Sequence, residues 1–139
     1  MVLAVLDTRC NLSLGSCDVY LNIAGGLRIY EPAADLAVAA ALISSYCNVP
    51  ARFDSAIFGE ISLSGEVRTV AQSDKRLKEA AKLGLTHAIV PAGTTTAQRE
   101  ISLQPVEMLS DLTDSFLAQA DGVTIQAQDQ SRPHKNDNR

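Results

Sequence analysis

One stretch limits what this chain can fold into more than any other: Ala34 followed by Asp35–Cys47, reading DLAVAAALISSYC. It is apolar nearly all the way round and rich in alanine. A helix with that pattern has no face to give to water, so it must be enclosed, and its small side chains let neighbouring backbone approach closely. Pro32 suits the first turn leading into such a helix, and Asn48 with Pro50 suits its end. The rest of the core has to match. Hydrophobic residues make up 46% of the 139, while aromatics are 4% and tryptophan is absent, so the interior is aliphatic and small-residue in character. The length fits one domain.

Around that helix the chain alternates. Residues 1–6 (MVLAVL) form an apolar run that periodicity leaves open between strand and helix. Asn11 to Asp18 reads as a turn. Val19-Tyr20-Leu21-Asn22-Ile23 is β-rich and reads as a strand, ended by Gly25-Gly26. Leu27-Arg28-Ile29-Tyr30 alternates apolar and polar like a half-buried edge strand. Phe58–Leu63 and Glu66–Arg68 flank a tight Ser64-Gly65 turn and predict a hairpin. Gly59 there is read as a point of close approach, and Glu60 as a hydrogen-bonding partner for backbone. Asp74–Leu83 predicts an amphipathic helix with Leu77, Ala80 and Ala81 inward and Gly84 as its cap. His87–Val90 predicts a strand stopped by Pro91, with His87 half-buried. A further helix is expected from Val106 to Gln119, carrying Leu109, Leu112, Phe116 and Leu117 at helical spacing. The expected architecture is a two-layer α/β (α+β) sandwich spanning residues 1–120, followed by a disordered tail over 121–139.

Charge narrows the functional classes. The net charge is −4, which argues against a general polyanion binder. It is unevenly spread, with net −1 over residues 1–27, 0 over 28–82 and −3 over 83–139. Any nucleic-acid face is therefore a local patch in the middle third. Cys10, Cys17 and Cys47 are odd in number and lack C-x-x-C spacing, and His87 and His134 are far apart, so no metal site is expected and the thiols read as reduced and structural. Ser44 and Ser45, inside the alanine-rich helix, read as core or backbone-bonding hydroxyls. Gly25-Gly26 is followed by no lysine and is a strand-end turn, not a nucleotide loop. The start lacks a basic n-region and a cleavage pattern, and no apolar run reaches the ~18 residues of a membrane span. A cytoplasmic location with no membrane contact is expected.

Three segments carry a resemblance. Glu31-Pro32-Ala33-Ala34-Asp35, Phe58-Gly59-Glu60-Ile61-Ser62-Leu63-Ser64-Gly65-Glu66-Val67, and the helix–strand unit from Leu77 to Pro91 resemble the proteolytic domain of Lon peptidases. Ala24-Gly25-Gly26-Leu27-Arg28-Ile29, Glu31–Ala37 and Arg76–Gly84 more closely resemble the Lon-like C-terminal domain of the RadA (Sms) DNA-repair ATPases. The resemblance covers roughly residues 1–115 and implies a fold like the second domain of ribosomal protein S5. It also implies a missing N-terminal part with a zinc motif and a RecA-like ATPase. ATP, Mg and Zn are expected only there, because this chain has neither G-x-x-x-x-G-K-[ST] nor paired C-x-x-C.

Lon chemistry uses a serine nucleophile and a lysine that accepts its proton. By the resemblance Ala33 stands at the serine position, and a methyl group cannot attack a carbonyl. Asp74 stands at the lysine position, and Lys75 is one residue off, a rotation of about 100° on a helix. Glu31 and Asp35 also place carboxylates where an oxyanion would be stabilised, so Ala33→Ser alone is not expected to restore cleavage. Asp35 itself reads either as a helix cap or as a group holding the degenerate site together. The expectation is a chain that is not an enzyme, from a family whose full-length protein resembles an ATP-dependent DNA helicase or translocase. Arg28, Arg68, Lys75, Arg76, Lys78 and Lys82 are the candidates for phosphate contact, Lys75, Lys78 and Lys82 sharing one helix face, with a merely solvated face as the competing reading. The expected partners are further copies in a hexameric ring and single-stranded or branched DNA. The alternatives are a Lon-type serine peptidase and a structural scaffold that ignores DNA.

Overall fold

The computed structural model describes residues 1–25 and 30–130, with side chains described to residue 122. The elements run α1 (Val2–Cys10), a 3-10 turn (Pro32–Ala34), α2 (Asp35–Cys47), β1 (Ser55–Ile57), β2 (Glu60–Ile61), β3 (Val67–Arg68), α3 (Ser73–Lys82), β4 (His87–Pro91), β5 (Ser102–Val106) and α4 (Leu109–Gln130). The α2 helix falls where its composition demands. Leu36, Ala39, Ala40 and Ile43 are fully enclosed, and Asn48 ends the helix in a left-handed conformation (φ 53°) that asparagine tolerates. Burial of side chains such as Leu36 and Ile43 contributes about 1.5–3 kcal/mol each.

The sheet is parallel, in the order β1-β4-β5, with Ala56 beside Ala88 and Ala88 beside Leu103. The hairpin β2-β3 is a separate antiparallel pair, Glu60 opposite Arg68 and Ile61 opposite Val67. Side chains alternate across a strand, and β4 uses both faces. Ile89 joins the core made with α1, α2 and α4, while Ala88 and Val90 pack with Leu77 and Ala80 of α3. Helices therefore cover the sheet on both faces, one layer more than expected. That burial explains why β4 reads Ala-Ile-Val without polar alternation.

Several expectations are corrected. The apolar run at the start is a helix, α1. Val19–Ile23 forms no strand, because no neighbouring backbone pairs with it among the described residues. Residues 27–29 of the strand expected over 27–30 lie outside the described residues. β5 is a strand that the sequence hid behind Pro105. Proline lacks an N–H, and β5 tolerates it because it is an edge strand with only β4 beside it. α4 begins at Leu109, not Val106, and continues to Gln130, past the expected end at Gln119. The remainder of the expected tail, 131–139, lies outside the described residues.

Candidate functional site

Ala33, one of the two positions that the resemblance marks as degenerate, lies on a seam where the start of α2 meets the hairpin. Ala33 is buried in the 3-10 turn, and its carbonyl accepts the Gly59 N–H at 2.8 Å. The Gly59 carbonyl in turn accepts the Leu36 N–H at 3.0 Å, so the hairpin strand leaves no gap beside the start of α2. Gly59 permits this approach because a Cβ there would sit 3.0 Å from Val67 Cγ1 and 3.2 Å from Leu36 Cδ2. Asp35 is not a side-chain cap. Ala34 occupies the capping position, and an Asp35 carboxylate oxygen accepts the Ile61 N–H at 3.2 Å, tying α2 to β2.

The start of α3 docks on the same seam. Arg76 forms an ion pair with Glu31, donates from Nε to the Ala71 carbonyl at 3.3 Å, and lies over the Phe58 ring at 5.9 Å. Glu31 is two residues before Ala33, and Asp74 is two before Arg76. The seam is acidic on its open side, where Tyr30, Glu31, Asp35 and Glu60 line a shallow cavity. Three carboxylates there disfavour an anion. The Glu60 side chain has no hydrogen-bond partner among the described residues, contrary to its expected role; its contribution to the hairpin is through backbone pairing with Arg68.

The basic candidates separate by partner. Arg28 lies outside the described residues. Arg68 sits 3.5 Å from Glu66, and Lys82 is 2.7 Å from Glu79. The Lys82 ammonium, and more weakly Lys78, hold the Glu79 carboxyl below its ordinary range. Arg76 is taken by Glu31. Lys75 and Lys78 are exposed and have no acidic partner among the described residues. Three positions apart, they share the outward face of α3 with Lys82. The unpaired positive charge of this helix is thus concentrated in two lysines on one face, with the exposed Asp74 beside Lys75.

A second cluster escaped the sequence reading. Arg52 grips Asp54 with two bonds of 3.0 Å, and the Thr86 hydroxyl donates to the same carboxylate at 2.5 Å. His87 Nδ1 lies 2.8 Å from Thr86 Oγ1 and 3.3 Å from Asp54 Oδ2. The Arg52 hydrogen bond first, then that of Thr86, holds the Asp54 carboxyl well below the usual carboxylate range. This cluster closes the N-terminal ends of β1 and β4 beside a small cavity under α4, lined by Ser55, His87, Ser102, Gln104, Ser115 and Gln119. The Arg-x-Asp spacing and the Thr-His pair opening a strand were its sequence signals, and 31 residues separate the two halves.

The other groups behave more plainly. Ser44 Oγ donates to the Val49 carbonyl at 2.6 Å, a backbone-bonding hydroxyl as expected. Burial pushes the thiols of Cys10 and Cys47 up, which disfavours thiolate chemistry. Among the described residues no three His, Cys, Asp or Glu side chains group so as to hold a metal ion. No helix of the described residues is long and apolar enough to cross a membrane.

Comparison with known proteins places the chain. Residues 3–94, more than half of it, match the family described as subunit ChlI of Mg-chelatase. The chain is 49% identical over 124 residues to the DNA repair protein RadA of Brucella abortus, covering 88% of this chain and 27% of that protein. It is 57% identical over 89 residues to RadA of Rickettsia bellii, covering 64% and 20%. Against RadA of Synechocystis it is 49% identical over 106 residues, covering 76% and 21%. The chain thus spans between 20% and 27% of the length of these relatives. The expectation of a chain that is not an enzyme is corrected by these findings. What overturns it is the match to proteins named DNA repair protein RadA and to the family of ChlI subunits of Mg-chelatase. That expectation rested on Ala33, and an alanine there bears on peptide cleavage alone. The chain belongs to the ChlI family and matches a RadA-family C-terminal region.

Proposed function

We propose that this chain is the Lon-like C-terminal module of a cytoplasmic RadA-type repair enzyme, and that it supplies ring assembly and DNA contact to the ATP-hydrolysing protein. The observation that carries the DNA reading is the pair Lys75 and Lys78, exposed on one face of α3 and free of acidic partners among the described residues while the other described candidates are paired. Two exposed ammonium groups suit phosphate contact, which needs positive charge in register and no base-specific side chain. The Lon-like fold is supported by the seam itself, where Ala33, Asp35, the hairpin and the start of α3 meet in the order the resemblance implies. ATP, Mg and Zn belong to the part of the RadA length that this chain does not span. Lys82 joins the contact surface when phosphate competes with Glu79 for it, and Arg68 does so at the exposed end of β3.

The test is fluorescence anisotropy of labelled single-stranded and branched oligonucleotides against the chain, from low to moderate salt. Two phosphate contacts on single strands give a slope of log affinity on log salt of roughly −1.4. The double reversal Lys75→Glu, Lys78→Glu is expected to abolish that slope. Binding that ignores both salt and the reversal refutes the interface. Light scattering on the same samples reads the assembly: a mass of several copies supports a ring platform, and a monomer at all concentrations removes ring assembly from this chain's own surfaces.

A further inference from the structure

The segment Asp18–Ile23 has the composition of a strand and the surroundings of half of one. Val19, Leu21 and Ile23 fall on one side of an extended chain, Tyr20 and Asn22 on the other. The exposures follow that alternation where it is clearest, Tyr20 being 91% exposed against 37% for Val19 and 52% for Leu21. Val19 and Leu21 line a groove with Leu42 and Tyr46 of α2, and Tyr20 and Asn22 border the same groove. A second groove, sharing Leu14, Cys17 and Val19 with the first, continues to Leu3 on α1. Yet the backbone of 18–23 makes no hydrogen bond with any neighbour among the described residues. A β-prone run of apolar and aromatic residues lies on a helix with its peptide edges unpaired among the described residues and its side chains half covered. Strand addition completes this arrangement: an extended partner satisfies the edge and covers the exposed apolar groups in one step.

We propose that Val19–Ile23 is a docking edge for an extended strand, and that its occupant is a segment of the RadA polypeptide outside the region this chain spans. The argument for that occupant is continuity and length. The chain matches a C-terminal region covering 20–27% of its relatives, so most of their sequence lies upstream of it. α1 opens at Val2, and Leu3, on its first turn, forms part of the groove. Polypeptide that precedes this region in a RadA protein enters beside the groove, and a strand drawn from it reaches the edge without spanning the domain. Asp7 and Asp18 lie along the two grooves and favour a strand flanked by basic residues. The inference rests on family membership and not on the DNA contact proposed above, and its test uses no DNA.

Hydrogen–deuterium exchange decides it. The measurement compares this 139-residue chain with full-length Brucella abortus RadA, whose 124-residue match spans the segment. In this chain alone, the amides of Val19–Ile23 are expected to exchange at near-intrinsic rates whatever the concentration. In the full-length relative the aligned amides are expected to be slowed by about 100-fold or more, as paired strand amides are. Fast exchange in both proteins overturns the proposal. Slow exchange in this chain that relaxes on dilution also overturns it, because the occupant is then a second copy.

Discussion

Gly59 offers the sharpest test of the seam that organises this domain. Its φ is not in the left-handed region, so an alanine there meets no backbone strain and the whole penalty is steric. The added methyl would lie 3.0 Å from Val67 Cγ1, 3.2 Å from Leu36 Cδ2 and 3.2 Å from Pro91 Cγ. None of these yields easily. Val67 is stiff at χ1, Leu36 is fully buried, and the proline ring is rigid. Overpacking of this kind costs about 1–3 kcal/mol. The alanine also restricts the unfolded chain, which offsets about 0.4–1 kcal/mol. The net expectation for Gly59→Ala is a loss of ~1–2 kcal/mol, a fall in Tm of roughly 3–8 °C for a domain of this size. Gly122, inside α4 with nothing within 4 Å of where a Cβ would project, is the opposite case. Gly122→Ala is expected to stabilise by about 0.5–1 kcal/mol, because a helix interior disfavours glycine. Urea and thermal melts followed by circular dichroism read both, with an unchanged m-value required for the comparison. If Gly59→Ala melts at or above the parent, the close approach of β2 to α2 is not a packing constraint and the reasoning fails.

Other outcomes follow from the same geometry. Arg76→Ala removes the Glu31 pair and the Phe58 contact. Because the partner Glu31 is 54% exposed, the combined loss is expected to be only about 0.5–1 kcal/mol in a urea titration, and Arg76→Lys should recover only part of it. Asp54 has a folded-state pKa depressed below the ordinary 3.8, so its contribution is fully present above 3.8 and is lost as pH falls through the folded value. Asp54→Asn should therefore lower stability at neutral pH and flatten the acid limb below pH 3.8, and identical acid limbs in the two proteins would contradict that. Ala33→Ser should show no casein cleavage, since the hydroxyl is added at a buried position with Asp74 where the resemblance requires a lysine; measurable turnover by the variant would overturn the assignment of that position.

What could be read from the sequence was what depends on near neighbours. The α2 helix was legible because thirteen consecutive residues carry one signal and Asn48 closes it. The α3 helix was legible because Leu77 and Ala80 alternate with charge and Gly84, at φ +81°, ends it. The hairpin was legible because Ser64-Gly65 is a turn on its own account. β5 was not, since Pro105 is a local argument against a strand, and only the absence of a second neighbour makes it harmless. Val19–Ile23 failed in the opposite direction. Its local β preference is real, and pairing requires a backbone partner that local preference cannot provide.

The same distinction decides the candidate interface. In the sequence Lys75, Arg76, Lys78 and Lys82 are equivalent cations on one amphipathic helix. The structure divides them through contacts of very different reach: Glu31, 45 residues away, takes Arg76, while Glu79, three residues away, takes Lys82. The Lys82 pair follows from helical spacing and was foreseeable. The Arg76 pair requires knowing that the start of α3 lies on the turn that carries Ala33. Once that is known, Arg76 becomes a strut of the seam and Lys75 and Lys78 remain as the charges with nothing internal to neutralise. A charge map drawn from composition would spread the interface over the whole helix. The folded arrangement centres it on two lysines, and that is why their double reversal, and not the removal of Arg76, is the variant that discriminates between a DNA face and a solvated one.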